Sequence, residues 1–138
     1  MKRIILIAAI CLCFSSTLLS QSKPYNVVFD ITTADTAVHQ RVIRWINMII
    51  SSNPDAKIEV VFYGKSLDMV VQEKSSVTND LRKLAAEKKA SFVVCQQAMK
   101  VHNIEKSQLL PGVLTVPDGL YELVKKQAEG FGYIKVVN

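Results

Sequence analysis

Cys95 is the residue of this sequence best suited to covalent chemistry. It ends a short apolar run, residues 91–95, that predicts a buried strand, and residues 96–101 after it predict a short helix. Backbone N–H groups at the start of a helix favour a thiolate over a thiol, which makes the sulfur nucleophilic. A free cysteine is also among the most often buried residue types and packs as a small hydrophobe. The sequence therefore leaves two interpretations of Cys95 open, a reactive thiol and a packing residue.

Four residues that follow Cys95 could assist a reactive thiol. The backbone amides of Gln96 and Gln97 come directly after it and could stabilise a sulfur anion. Lys100 or His102 could stabilise the thiolate electrostatically or deliver a proton. For His102, a position in a surface loop without a role in chemistry is the alternative interpretation.

For two other polar residues, Asp30 and His39, the sequence predicts positions in the fold. Asp30 ends the first predicted strand, where acids bind ligands or cap the next helix, and we expect it to cap. His39 lies on the polar side of the first predicted helix and is expected to face solvent. The number and spacing of cysteines and histidines do not fit a zinc site, and no dinucleotide fingerprint, phosphate loop or nucleophile elbow is present. We therefore expect neither a metal nor a cofactor.

The first 22 residues are predicted to be a secretory signal peptide. Lys2 and Arg3 precede an uncharged stretch, residues 4–19, and small residues follow it, so cleavage is expected after Ser22 or after Ser20. A retained membrane anchor is the alternative, although polar residues thin the end of the run. We expect a periplasmic or secreted product without a stable membrane span after cleavage.

Removal of that segment changes the charge and the cysteine count. The 138 residues include 17 Lys and Arg against 12 Asp and Glu, a net charge of +5, and loss of Lys2 and Arg3 leaves +3. No basic stripe interleaved with aromatic residues is present, so nucleic acid is not an expected partner. Cys11 and Cys13 would be lost too, which leaves Cys95 as the sole thiol in an oxidising compartment.

The remainder of the chain, residues 25–138, alternates strands and helices and is predicted to form one domain. Apolar runs rich in β-branched and aromatic residues predict strands, and apolar residues spaced three and four apart predict helices. That alternation is typical of an α/β fold with a parallel sheet and helices on both faces. The predicted strands are 25–31, 57–63, 91–95, 112–116 and 131–137, and the last helix has an apolar face of Leu120, Leu123, Val124 and Ala128 and ends at Gly130.

Several separated blocks of the sequence resemble the DsrE/DsrF-like family. They are residues 92–95, 99–100, 110–113, 116–119, 127–130 and 132–135, with Asn47 and residues 60–64 upstream, and together they span nearly all of residues 25–138. Cys95 matches the position of the family's cysteine. Many relatives continue with Glu-Asn-Thr, whereas this chain has Gln96-Gln97-Ala98, which changes the polar surroundings of the thiol.

The resemblance implies a three-layer α/β/α domain with a five-stranded, mainly parallel sheet. It also implies assembly into trimers or hexamers, with the cysteine near a cleft between subunits; Asp30 and Asn47 join the residues after Cys95 as candidates for lining that cleft. The better understood members of the family pass a persulfide from one cysteine to another. Two hypotheses follow. Cys95 carries sulfane sulfur between a donor and an acceptor protein, or the domain is a non-catalytic oligomeric module that binds a small ligand or a protein.

Overall fold

The computed structural model describes residues 24–137, which form a five-stranded sheet between two layers of helices. The elements are β1 (Val27–Ile31), α1 (Thr36–Ser52), β2 (Ile58–Phe62), a 3-10 helix (Gly64–Met69), α2 (Thr78–Ala86), β3 (Ser91–Cys95), α3 (Gln96–Val101), a 3-10 turn (Lys106–Gln108), β4 (Leu114–Val116), α4 (Gly119–Ala128) and β5 (Gly132–Lys135). The predicted signal peptide lies outside the described residues. Among the described helices, none is long and apolar enough to cross a membrane.

The sheet confirms the predicted α/β class. Its strand order is β4-β3-β2-β1-β5, and each neighbouring pair is parallel, so the sheet is entirely parallel where the family resemblance implied mainly parallel. β1 and β2 are buried along their whole length. A strand covered on both faces needs apolar residues at consecutive positions, which explains why these two runs do not alternate with polar residues.

The two faces of the sheet are covered unequally. One face carries the larger core, in which Phe29, Phe62 and Phe92 pack beneath apolar residues of α1 and α2. The other face has a smaller cluster of Val28, Val61, Val93 and Leu123, the last contributed by α4. Among the described elements, α4 is the helix that packs against this smaller cluster.

The position of α4 corrects the prediction for its apolar face. Leu123 is buried, but Leu120 and Val124 are 60% and 62% exposed. Tyr121 beside them is 68% exposed. The spacing of apolar residues predicts one apolar face, whereas α4 contacts the sheet through the narrower row that includes Leu123 and presents the remaining apolar side chains to solvent.

Two predictions about polar residues near α1 are wrong. His39 is 1% exposed rather than facing solvent, and its Nε2 lies 2.9 Å from the Thr33 carbonyl oxygen. The first turn of α1 folds against the segment that leads into it, which covers the imidazole. Asp30 does not cap α1, because the cap is Asp35, whose Oδ1 accepts a hydrogen bond from the Ala37 N–H at 2.8 Å.

Candidate functional site

Cys95 lies at the carboxyl end of β3 and directly precedes α3. Its side chain is on the face of the sheet covered by α4, because side chains alternate along a strand and Val93 points to that face. Cys95 is 7% exposed. A Cβ atom added at Gly119 would lie 3.0 Å from the Cys95 Cβ and 3.6 Å from its Sγ. The glycine therefore allows α4 to begin directly above the thiol.

A network of charged and phenolic groups lies on the same face, at the ends of β2, β1 and β5. The Tyr133 hydroxyl donates to Asp30 Oδ2 at 2.6 Å, and Lys135 Nζ donates to the two oxygens of the same carboxylate at 3.0 and 3.1 Å. Lys135 Nζ also donates to the Tyr63 hydroxyl oxygen at 3.3 Å, and it lies 5.4 Å from the centre of the Tyr63 ring. Asp30 is thus held by two side chains of β5 and is linked through Lys135 to Tyr63.

Strand register places Tyr63 beside Cys95. β2 and β3 pair so that Phe62 lies opposite Val94. The extended backbone at Tyr63, with φ −155° and ψ 173°, continues β2 by one more position, which lies opposite Cys95. Neighbouring strands are about 4.8 Å apart, and side chains at such paired positions share a face. The carboxyl edge of the sheet therefore carries, from β3 to β5, Cys95, Tyr63, Asp30 and Lys135.

The chain turns sharply after Tyr63, and Ser66 and Gly64 determine the geometry of this turn. The Ser66 hydroxyl oxygen lies 2.7 Å from the Ile31 carbonyl oxygen and accepts a hydrogen bond from the Tyr63 N–H at 3.2 Å. Gly64 has φ +60°, a left-handed conformation that glycine adopts without steric cost. Both residues fix the direction in which the Tyr63 backbone leaves the sheet.

The network holds its members in defined protonation states. The hydrogen bond to Asp30, together with burial, raises the pKa of Tyr133 to about 12. Burial and the nearby Asp30 carboxylate raise the pKa of Tyr63. Burial alone would lower the pKa of Lys135, but its hydrogen bonds with Asp30 and Tyr63 outweigh that effect and the pKa is raised. At neutral pH the ammonium group is therefore charged and both phenols keep their protons.

The raised pKa of Tyr133 predicts a loss of stability in alkali. The folded chain binds the phenolic proton more tightly than the unfolded chain, with a pKa of about 12 against 10, so the stabilisation is complete below pH 10 and is lost as the pH rises to 12. Urea unfolding at several pH values measures this decline, and Tyr133→Phe should flatten it. Tyr121→Phe, which removes an exposed phenol, is the control and should keep the wild-type decline. An equal decline in Tyr133→Phe would contradict the assignment.

The polar residues that follow Cys95 point away from the phenolic network. The Gln96 side-chain amide donates to Thr115 Oγ1 at 3.1 Å, and Gln96 and Lys100 line a cavity of about 240 Å³ beside β4. Gln97 is exposed. Only the backbone amides of Gln96 and Gln97 remain adjacent to Cys95, because both residues follow it directly in the chain.

Two further predicted site residues lie elsewhere. His102 lines a separate cavity of about 210 Å³ together with Lys65 and Lys74. Asn47 is exposed on α1, which packs on the opposite face of the sheet from Cys95. Within residues 24–137, no group of three or more His, Cys, Asp or Glu side chains is arranged to hold a metal ion.

Sequence reasoning missed Tyr63, Tyr133 and Lys135 as members of the site. The signal was the alternation of side chains along the strands. Asp30 lies two positions after the buried Val28, and Tyr63 lies two positions after Val61, so each continues the row of its strand that faces α4. The alternation alone does not show that β5 pairs with β1. That pairing brings Asp30 and Lys135 together, although they are 105 positions apart in the chain.

Comparison with known proteins agrees with the fold. The model of the DsrE/DsrF-like family matches residues 26–136. Among solved structures, the chain is similar to the protein of unknown function MTH1491 from Methanobacterium thermoautotrophicum, with a TM-score of 0.76 and 26% sequence identity over 80% of this chain and 98% of that chain. No curated protein matches the sequence.

Proposed function

The chain belongs to the DsrE/DsrF-like family, and from this membership we propose that it carries sulfane sulfur as a persulfide on Cys95. The position of Cys95 is the observation that supports the proposal best. It ends a central strand at the carboxyl edge of a parallel sheet, which is where open α/β sheets bind their ligands. The network of Tyr63, Asp30 and Lys135 on the same face and edge adds polar groups that a purely structural strand end does not need.

The chemistry has a loading step and an unloading step. In loading, the Cys95 thiolate attacks a sulfane sulfur of the donor, a new S–S bond forms, and the donor's own S–S bond breaks with its electron pair leaving on the remainder. In unloading, an acceptor thiolate attacks the outer sulfur and the Cys95 thiolate leaves. Sulfur moves in the zero-valent state in both steps, so no external oxidant or reductant is consumed. The backbone amides of Gln96 and Gln97 stabilise the anionic sulfur in this proposal.

Release of the carried sulfur to cyanide tests the proposal. A chain with Cys11→Ser and Cys13→Ser, in which Cys95 is the sole thiol, is incubated with inorganic polysulfide, desalted and treated with cyanide. Attack of cyanide on the outer persulfide sulfur gives thiocyanate and returns the Cys95 thiolate. We expect close to one thiocyanate per chain, and none after the further change Cys95→Ser. Equal background release from both proteins would contradict the carrier function.

We also propose that the protein is exported and works as a homo-oligomer, a trimer or a hexamer, that exchanges sulfur with a donor or acceptor protein. The exposed apolar side chains of α4, Leu120, Tyr121 and Val124, support assembly, because they continue the helix that begins above Cys95. The same side chains favour the second candidate function, an oligomeric binding module without covalent chemistry. Sedimentation equilibrium tests the assembly, and a monomer at micromolar concentration would contradict it.

A further inference from the structure

We propose that the ammonium group of Lys135, with the hydroxyl group of Tyr63, binds the anionic end of the sulfur donor, and that the donor is an inorganic polysulfide anion. The inference rests on the proposed function, because it names the substrate class for loading of Cys95. It assigns a ligand-binding role to side chains that sequence reasoning left without one.

The exposure of the Asp30–Lys135 pair supports binding of an anion rather than a cation. The Asp30 side chain is 4% exposed, whereas the Lys135 side chain is 40% exposed. Both Asp30 oxygens already accept hydrogen bonds from Tyr133 and Lys135. A ligand that approaches from solvent therefore meets the ammonium group and the phenols, while the carboxylate lies beneath them. The surface of the network offers the positive charge of Lys135 and the O–H of Tyr63, because the Tyr133 hydroxyl already donates to Asp30, and it leaves no free carboxylate oxygen to bind a cation.

The network also keeps its ammonium charge and its phenolic protons over a wide pH range. Its hydrogen bonds hold Lys135 charged, and Tyr63 and Tyr133 remain protonated well above neutral pH. Polysulfide anions are ionised in the same pH range. The attraction between their charge and Lys135 therefore persists at the pH values at which the Cys95 thiolate forms and reacts. Asp30 orients Lys135 and offsets the cost of holding its charge next to the apolar cluster.

The spacing along the sheet edge fits a donor with a chain of sulfur atoms. Cys95 and Lys135 lie on strands separated by three strand spacings, about 14 Å between backbones. The Lys135 side chain shortens that gap, because its Nζ is 5.4 Å from the ring of Tyr63, the neighbour of Cys95. Each S–S bond is about 2 Å long, so a polysulfide with several sulfur atoms extends further along this edge than hydrosulfide does.

The loading reaction balances with polysulfide as the only co-substrate. The Cys95 thiolate attacks the sulfur at the end of the polysulfide dianion near the thiol, while the opposite charged end is held at Lys135. The Cys95 persulfide forms with one negative charge, and a polysulfide dianion one sulfur shorter leaves with the electron pair of the broken bond.

Saturation kinetics with two donors test the inference in the full chain that carries Cys11→Ser and Cys13→Ser. The probes are inorganic tetrasulfide, which is a dianion, and a neutral organic trisulfide, whose central sulfur the Cys95 thiolate attacks to form a mixed trisulfide while an organic thiolate leaves. Thiocyanate release by cyanide measures the sulfane sulfur that Cys95 gains from either donor. For tetrasulfide we expect Lys135→Met to raise KM about tenfold, the effect of one lost charge contact, with kcat changed less than about twofold. Lys135→Arg should restore most of the wild-type KM, and KM for the neutral trisulfide should not change. Lys125→Met, an exposed lysine of α4, is the matched control.

A salt series on the unchanged site gives a second readout that does not depend on how a variant folds. Raising the ionic strength should raise KM for tetrasulfide and leave KM for the neutral trisulfide constant. Equal effects of Lys135→Met on both donors, or a KM for tetrasulfide that ignores salt, would overturn the anion site while persulfide still forms. If neither donor loads Cys95, the carrier function itself is wrong, and the anion site falls with it.

Discussion

Replacement of Asp30 by alanine is expected to lower the free energy of unfolding by about 3 kcal/mol, since hydrogen bonds to a charged group each contribute about 1.5–3 kcal/mol. Asp30 is 3% exposed and accepts from both Tyr133 and Lys135. Two such bonds contribute about 3–6 kcal/mol together. We expect the lower end of this range, because Lys135 and Tyr133 reach solvent in the variant and regain part of their hydration. Urea unfolding at neutral pH measures the change.

Asp68→Ala is the matched control for this prediction. Asp68 also pairs with a lysine, Lys74, at 3.0 Å, but both side chains are well exposed, 40% and 56%. Exposed ion pairs contribute about 0–1 kcal/mol, so this variant should remain close to wild type. A similarly small decrease in the free energy of unfolding for Asp30→Ala and Asp68→Ala would contradict a stabilising role for the hydrogen bonds between Asp30 and the side chains of β5.

Gly112→Ala is expected to destabilise the fold by a similar amount, about 3 kcal/mol. Gly112 has φ +88°, and a Cβ there would lie 2.8 Å from the Cβ of Ala85. A left-handed conformation costs an L-residue about 1–2 kcal/mol, and overpacking a filled site costs about 1–3 kcal/mol more. Thermal or urea unfolding tests this prediction, because the turn that leads into β4 must move away from α2 to accept the methyl group.

Gly130→Ala separates the two contributions. Gly130 has φ +89°, but an added Cβ would have no neighbour within 4 Å. This variant should lose only the backbone contribution of about 1–2 kcal/mol. The double variant Gly112→Ala with Ala85→Gly removes the clash and should recover part of the loss, although glycine weakens α2 by up to about 1 kcal/mol. Equal destabilisation by Gly112→Ala and Gly130→Ala would contradict a steric role for Ala85.

Local pattern was sufficient to predict most elements of the fold. The run from Ser91 to Cys95 and the helix from Gln96 to Val101 have the predicted bounds. Both follow from neighbouring residues alone, an apolar run with β-branched side chains and then residues with high helix propensity. Gly130 comes just after the end of α4, close to the predicted helix end, and has a left-handed conformation.

The wrong predictions share one physical cause, because each depends on contacts that the local sequence pattern does not specify. The exposure of Leu120 and Val124 depends on how α4 lies on the sheet, which helical periodicity does not specify. His39 is buried by the segment before its helix, and Asp30 has its partners on β5, at the other end of the chain. The sequence therefore predicted Cys95, where the signal is local, and offered Asp30 as a cleft residue, but it missed Tyr63, Tyr133 and Lys135, because strand order decides which side chains meet.

Intact-mass spectrometry of the protein, before and after incubation with inorganic polysulfide, tests persulfide formation on Cys95 most directly. We expect that the mass increases by one sulfur atom, that reduction removes the increase, and that Cys95→Ser shows none. The starting mass also reports whether residues 1–22 have been removed. An unchanged mass, together with a Cys95 that alkylating reagents modify only after unfolding, would contradict the carrier function and leave Cys95 as a packing residue of a binding module.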